Sequence, residues 1–183
     1  MKGKTVTLEE LNTISKQDFI ARLATIFEHS PWVGKAVVEQ RPFESEKALF
    51  QAMVAAVKSA SEERKLALIC AHPDLAGKAA RLKQLTAQSQ AEQKGAGLDS
   101  LSDDEFKQFQ QLNAAYRAKF SFPFIIAVRG HGGKAHDKYS ILAAMAKRLE
   151  NTVDVEKTTA LAEIYRIGEL RLEDLFLMET KNR

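Results

Sequence analysis

The chain has 183 residues, 45% of them hydrophobic, with 27 basic side chains against 24 acidic ones. That supplies one core, or at most two small ones, and an excess of three positive charges gives no reason to expect a nucleic-acid partner. The single cysteine, Cys70, rules out an internal disulfide and suits a reducing compartment.

Met1–Glu10 lacks the apolar centre of a secretory leader. The first amphipathic pattern is Phe19, Ile20, Leu23, Ile26 and Phe27, one apolar helical face. Pro31 interrupts it. Trp32–Val38 starts a second segment, which stops before Pro42. Ser45 can cap a third helix whose buried stripe is Leu49, Phe50, Met53, Val54 and Val57. Ser61, followed by Glu62 and Glu63 at the positive end of the dipole, opens a fourth. It runs into the apolar stretch Leu66–Ala71, where Cys70 reads as a small buried hydrophobe.

From Ala76 to Ala96 the pattern becomes polar and rich in Gln and Ala. Ser102-Asp103-Asp104-Glu105 is a capping box that starts a long helix carrying Phe106, Phe109, Leu112, Tyr116 and Phe120. Ser121-Phe122-Pro123 breaks it. Periodicity reads the next segment, Phe124–Val128, equally as strand or buried helix. Arg129-Gly130-His131-Gly132-Gly133 is a loop by its glycines. A helix over His136–Leu149 follows. A last one from Val155 onward places Leu161, Ile164, Tyr165, Gly168, Leu172, Leu175 and Phe176 on one side. Strand signals are nearly absent and there is no internal repeat. The expectation is an all-α chain: a single globular bundle of about eight helices, one domain over 1–183 with flexible ends at 1–6 and 178–183. No apolar run is long enough to span a membrane, and Lys181-Asn182-Arg183 is not a peroxisomal address. The expected location is cytoplasmic.

Three places carry candidate chemistry. In Ala71-His72-Pro73-Asp74-Leu75, the proline pushes His72 out of helical geometry. This puts His72 at a helix start, where its imidazole either turns into a cleft to move protons or simply caps the helix. Ser89-Gln90-Ala91-Glu92-Gln93 contains Ser-x-x-Glu, which by spacing reads first as a second capping box. A helix N-terminus there also offers N–H groups to an anion. Arg166, beside the apolar stripe of the last helix, either reaches solvent or grips a carboxylate through two parallel hydrogen bonds. Other motifs fail. Gly130–Lys134 has the wrong spacing for a phosphate loop, and Ala135 stands where a Ser or Thr would bind magnesium. His131 and His136 are not a one-face helical pair, and no cysteine or HExxH supports a metal. There is no GxSxG elbow.

Taken together, Ala71–Lys78, Leu85-Thr86, Ser89–Gln93 and Ala96-Gly97-Leu98 resemble the 2-oxo-4-hydroxy-4-carboxy-5-ureidoimidazoline (OHCU) decarboxylases. So do Leu112-Asn113 with Tyr116, Lys119-Phe120, Phe122–Ile125, Arg129-Gly130, Glu163-Ile164, Arg166-Ile167 and Arg171-Leu172. The resemblance runs from Phe19 to Leu175. It implies decarboxylation of OHCU to (S)-allantoin in urate breakdown, with no metal or organic cofactor and a homodimeric enzyme. It implies that His72 is the catalytic acid/base and Glu92 an active-site carboxylate. Substrate contacts fall on Pro73, on Ser89, Gln90, Ala91, Glu92 and Gln93, on the backbone of Phe124, Ile125, Ile126, Ala127 and Val128, and on Arg166. The alternative is a non-catalytic helical ligand-binding or interaction module.

Overall fold

The protein is described by a computed structural model over residues 6–77 and 85–177. The expected flexible ends lie outside these residues, except Val6, which is buried at 1% exposure. The middle of the polar stretch, 78–84, lies outside them as well.

Among the described residues the fold is all-α, with nine α-helices: α1 (Leu8–Thr13), α2 (Lys16–Leu23), α3 (Trp32–Val37), α4 (Glu46–Lys58), α5 (Glu62–Cys70), α6 (Ala87–Gly95), α7 (Asp103–Phe120), α8 (Lys138–Arg148) and α9 (Val153–Leu177). A 3-10 turn, Val38–Gln40, extends α3. The chain forms two compact units. One holds the residues up to Leu68 together with those from Ile167; the other is Ile69–Arg166.

In the first unit, α3 packs on α2 and α4. Helix starts follow the capping rules: Ser45 accepts from the Ala48 N–H, and Ser61 from the Arg64 N–H at 3.3 Å. Of the expected stripe of α4, Leu49, Met53 and Val57 are fully buried, while Phe50 and Val54 are only half-buried. Helix α1 was not anticipated, although its signal was present: Thr7 and Glu10 form a reciprocal capping box. The face read through Phe27 is helical only to Leu23; Ile26 and Phe27 are buried from the turn that follows. Arg171 of α9 is buried against Glu28 at 2.7 Å and also donates to the Thr25 carbonyl at 3.2 Å. Cys70 corrects the sequence reading: it is exposed. In the run Leu66–Ala71, only Leu68 and Ile69 face inward, because a helix turns part of any apolar stretch outward.

In the second unit, α7 packs on α8. Helix α7 starts at the expected Ser102–Glu105 capping box. It stops at Ser121, which takes the left-handed conformation at φ 63° and returns its N–H to the Arg117 carbonyl. The rings of Phe120 and Phe124 stand 4.5 and 5.3 Å from that of Tyr116. At the centre lies Glu156, fully buried. Arg148 binds its Oε1 through Nε at 2.8 Å and Nη2 at 2.5 Å, Asn151 donates to Oε2 at 2.7 Å, and the Tyr116 hydroxyl donates to Oε1. A buried carboxylate is tolerable only with such a set of donors.

Two outcomes follow from this cluster. Glu156→Gln leaves the Arg148 charge buried without its counter-ion and is expected to cost about 3–5 kcal/mol of stability, read from urea unfolding. Burial first, and then the bond to Glu156, push the Tyr116 phenol above its ordinary value of 10.0. The folded state therefore holds this proton after the unfolded chain has released it, and stability falls as pH rises above about 10. Tyr116→Phe should flatten that alkaline decline in unfolding measurements taken from pH 9 to 11.

Candidate functional site

The site residues within Ile69–Arg166 fall into two groups, each built around backbone that is neither helix nor strand. The first is the turn after α5. Pro73 denies residue 72 a helical continuation, so α5 ends at Cys70 and the His72 N–H closes it by donating to the Ile69 carbonyl at 3.2 Å. His72 thus sits beyond the end of a helix, not at the start of one as the sequence suggested. It is buried, at 6% exposure.

The residues that follow are held by side chains. The Ala76 N–H donates to Gln93 Oε1 at 2.9 Å. Helix α7 reaches the same turn with three residues of one face. Gln110 donates to the Ala76 carbonyl at 3.1 Å, Asn113 to the Leu75 carbonyl at 2.9 Å, and Arg117 Nε to both Asp74 carboxylate oxygens at 2.9 and 3.1 Å. Ala76 adopts φ 51°, a conformation that L-residues take only when their surroundings impose it. These contacts impose it.

Helix α6 supplies the second sequence candidate, and here the capping-box reading is overturned. The cap is Thr86, whose hydroxyl accepts from the Ser89 N–H at 3.2 Å. Ser89 is therefore the third residue of the helix, and Glu92 lies in its middle rather than in its first turn. Ser89 and Gln93, one turn apart, are buried on one face. Gln90 and Ala91, with Gln93, line a cavity of about 730 Å³ that also takes in Ala76, Gly77 and Phe106. Gln93 is thus the hinge of this group: it lines the cavity and holds the His72 turn against α6.

The second group is Phe124–Val128. It forms neither the strand nor the helix that periodicity left open. It is an irregular segment with every residue buried, which obliges its backbone to find partners elsewhere. The Ile125 carbonyl takes a hydrogen bond from Arg148 Nη1 at 2.7 Å, and the Arg148 guanidinium stacks 4.4 Å from the Phe124 ring centroid. The Ala127 N–H donates to Glu163 Oε2 at 2.8 Å, the Gly130 N–H returns to the Ala127 carbonyl at 2.7 Å, and the His136 N–H bonds the Val128 carbonyl at 2.7 Å. Glu163 Oε1 stands 3.2 Å from His131 Nε2. Arg166, one turn of α9 beyond Glu163, is part-buried and donates from Nε to the Gly130 carbonyl at 3.0 Å, which orients its guanidinium. The sequence left Arg166 between reaching solvent and gripping a carboxylate; its Nε is held by a backbone carbonyl.

The supporting residues Gln110, Asn113, Arg117, Arg148 and Glu163 were given no role from the sequence; Asn113 and Glu163 appear there only within the stretches that carry the resemblance. For the first three, a signal exists: they recur at helical spacing among the apolar residues of α7. Nothing in the sequence marks Glu163 or Arg148 as partners of a segment so far away.

Comparison with known proteins adds a second line of observation. The profile of the OHCU decarboxylase family matches residues 12–173. The 2-oxo-4-hydroxy-4-carboxy-5-ureidoimidazoline decarboxylase of Haloferax volcanii is 41% identical over 174 residues, spanning 95% of this chain and 98% of that protein. The uric acid degradation bifunctional protein of Bacillus subtilis is 39% identical over 169 residues, which make up 92% of this chain and 32% of that protein. The crystal structure of an (S)-allantoin synthase superposes with a TM-score of 0.73 at 32% identity, over 93% of this chain and 54% of that one, so this chain spans about half its length. A crystal structure of OHCU decarboxylase in the presence of (S)-allantoin shares the fold, with a TM-score of 0.66 at 24% identity over 85% of this chain. A profile match from residue 12 to 173 and a relative aligned almost end to end lead to one conclusion: the chain belongs to the OHCU decarboxylase family.

Proposed function

We propose that this chain is a carboxy-lyase that converts OHCU to (S)-allantoin in urate degradation, without a metal or organic cofactor. The observation that carries the reading is the near end-to-end likeness to a decarboxylase of that name, in a fold where the matching histidine, His72, is buried in a turn braced from two helices. Because the family match runs through both compact units, they are read as one functional domain.

The chemistry needs little from the protein. The substrate carries its carboxylate on a carbon that also bears a hydroxyl, next to an imine-like ring bond. As carbon dioxide leaves, the electron pair of the breaking C–C bond is taken up by that neighbouring bond. The substrate is its own electron sink, a task that other decarboxylases give to a cofactor. What remains is to supply a proton to the ring nitrogen that receives the pair, to remove the hydroxyl proton and to return one proton to carbon on a single face. His72 performs the proton transfer at the hydroxyl. Glu92 orients His72 or holds the ureido N–H groups. Arg166, its guanidinium set by the Gly130 carbonyl, grips a carboxylate or carbonyl of the substrate. Pro73, Ser89, Gln90, Ala91 and Gln93, with the backbone of Phe124 to Val128, complete the binding surface. One-sided protonation yields the S enantiomer. The enzyme is further proposed to be a cytoplasmic homodimer with no nucleic-acid partner and no membrane attachment; no described helix is long and apolar enough to cross a bilayer. A non-catalytic interaction module is the weaker reading, since the chain matches a decarboxylase almost end to end.

Freshly generated OHCU, followed by circular dichroism after exhaustive chelation, is expected to give optically active (S)-allantoin faster with the protein than without it. His72→Asn should lower the rate by roughly 10²–10⁴-fold while the variant keeps its helical spectrum. Decay at the spontaneous rate to racemic product would sink the decarboxylase reading, and full turnover by His72→Asn would sink the role of His72.

A further inference from the structure

We propose that Arg117, through its ion pair with Asp74, is a positioning residue for His72; the proposal rests on the decarboxylase reading for its kinetic arm and on geometry alone for its spectroscopic one. Arg117 Nε meets both oxygens of the Asp74 carboxylate, at 2.9 and 3.1 Å. Gln110, Asn113 and Arg117 occupy successive turns of α7, and their partners run in the opposite order along the chain: Ala76, Leu75, Asp74. The turn is thus laid along the helix residue by residue, with its charged contact at the end nearest His72.

Only Pro73 separates Asp74 from His72. The proline ring fixes its own φ and restricts the residue before it. Holding Asp74 therefore limits where the His72 backbone can stand, and with it the base from which the imidazole projects. The ion pair's side chains are 45% and 28% exposed, and pairs so placed contribute little to global stability. Fixing the turn at its charged end, where stability gains least, makes sense if the benefit lies in orientation. A small displacement of a catalytic group costs rate far more than it costs stability.

The test compares wild type with Arg117→Ala and Arg117→Lys. Arg117→Ala is expected to lower kcat by about 10–100-fold, with KM within about twofold of wild type and an unchanged unfolding midpoint; Arg117→Lys, which keeps the charge, should recover part of that loss. A second readout needs no activity: the imidazole C–H resonances of His29, His72, His131 and His136, assigned through His72→Asn. In Arg117→Ala the His72 resonance should move and the other three should stay. An unchanged kcat in an active enzyme, an unmoved His72 resonance, or a general shift of all four histidines with a lowered unfolding midpoint would each overturn the proposal. If the wild type shows no decarboxylation, the functional reading falls, and the His72 resonance alone decides whether Arg117 positions the turn.

Discussion

The buried Glu156 carboxylate, paired with Arg148, organises the Ile69–Arg166 unit. The Glu156 carboxylate is out of water, and such a group persists only where donors replace its hydration. Here the donors come from different stretches of chain: Tyr116 in α7, Arg148 at the end of α8, and Asn151 in the connection to α9. Satisfying Glu156 therefore fixes three helices against one another. It also settles the orientation of Arg148, whose remaining nitrogen and flat face are turned onto Ile125 and Phe124. The segment proposed to read the substrate is held by an arginine that this buried carboxylate orients.

The same device recurs at the histidine turn. A helix or strand would satisfy its own backbone, but neither geometry would leave the site residues where they are. The chain instead spends polar side chains on main-chain groups: Gln93, Gln110 and Asn113 for residues 74–76, and Arg148 and Glu163 for residues 125 and 127. Each such bond is modest in net energy but expensive to leave unmade. An irregular backbone held in this way is specific without being regular.

How much of this could be read from the sequence depended on whether the cause was local. The caps at Ser45, Ser61 and Ser102, the break at Ser121, and the stripe of α4 all act within a few residues of themselves, and all were legible. Readings failed where two local codes competed. Ser89-x-x-Glu92 has capping-box spacing, yet Thr86 lies one turn earlier and takes the cap. Leu66–Ala71 reads as buried, yet the helix turns Cys70 outward. Phe124–Val128 misled periodicity altogether, because its burial is paid for by Arg148 and Glu163, partners that lie more than twenty residues away. The places around His72, Glu92 and Arg166 were legible as residue patterns, their roles came from resemblance, and what holds them in place came only with the structure.

The glycine loop carries a consequence for heredity. Gly130 lies at φ 69°, and a β-carbon there would overlap the Lys134 carbonyl. The Gly130 carbonyl is also the point that orients Arg166. Every missense change at this codon adds a β-carbon, so none of them is silent in shape, whatever the chemistry of the new side chain. Alanine, the mildest replacement elsewhere, is no milder here. Among descendants of this chain, lineages that keep the Arg166 anchor should keep glycine at this position, while His131 next to it, more than half exposed although its ring meets Glu163 at 3.2 Å, has more room to drift.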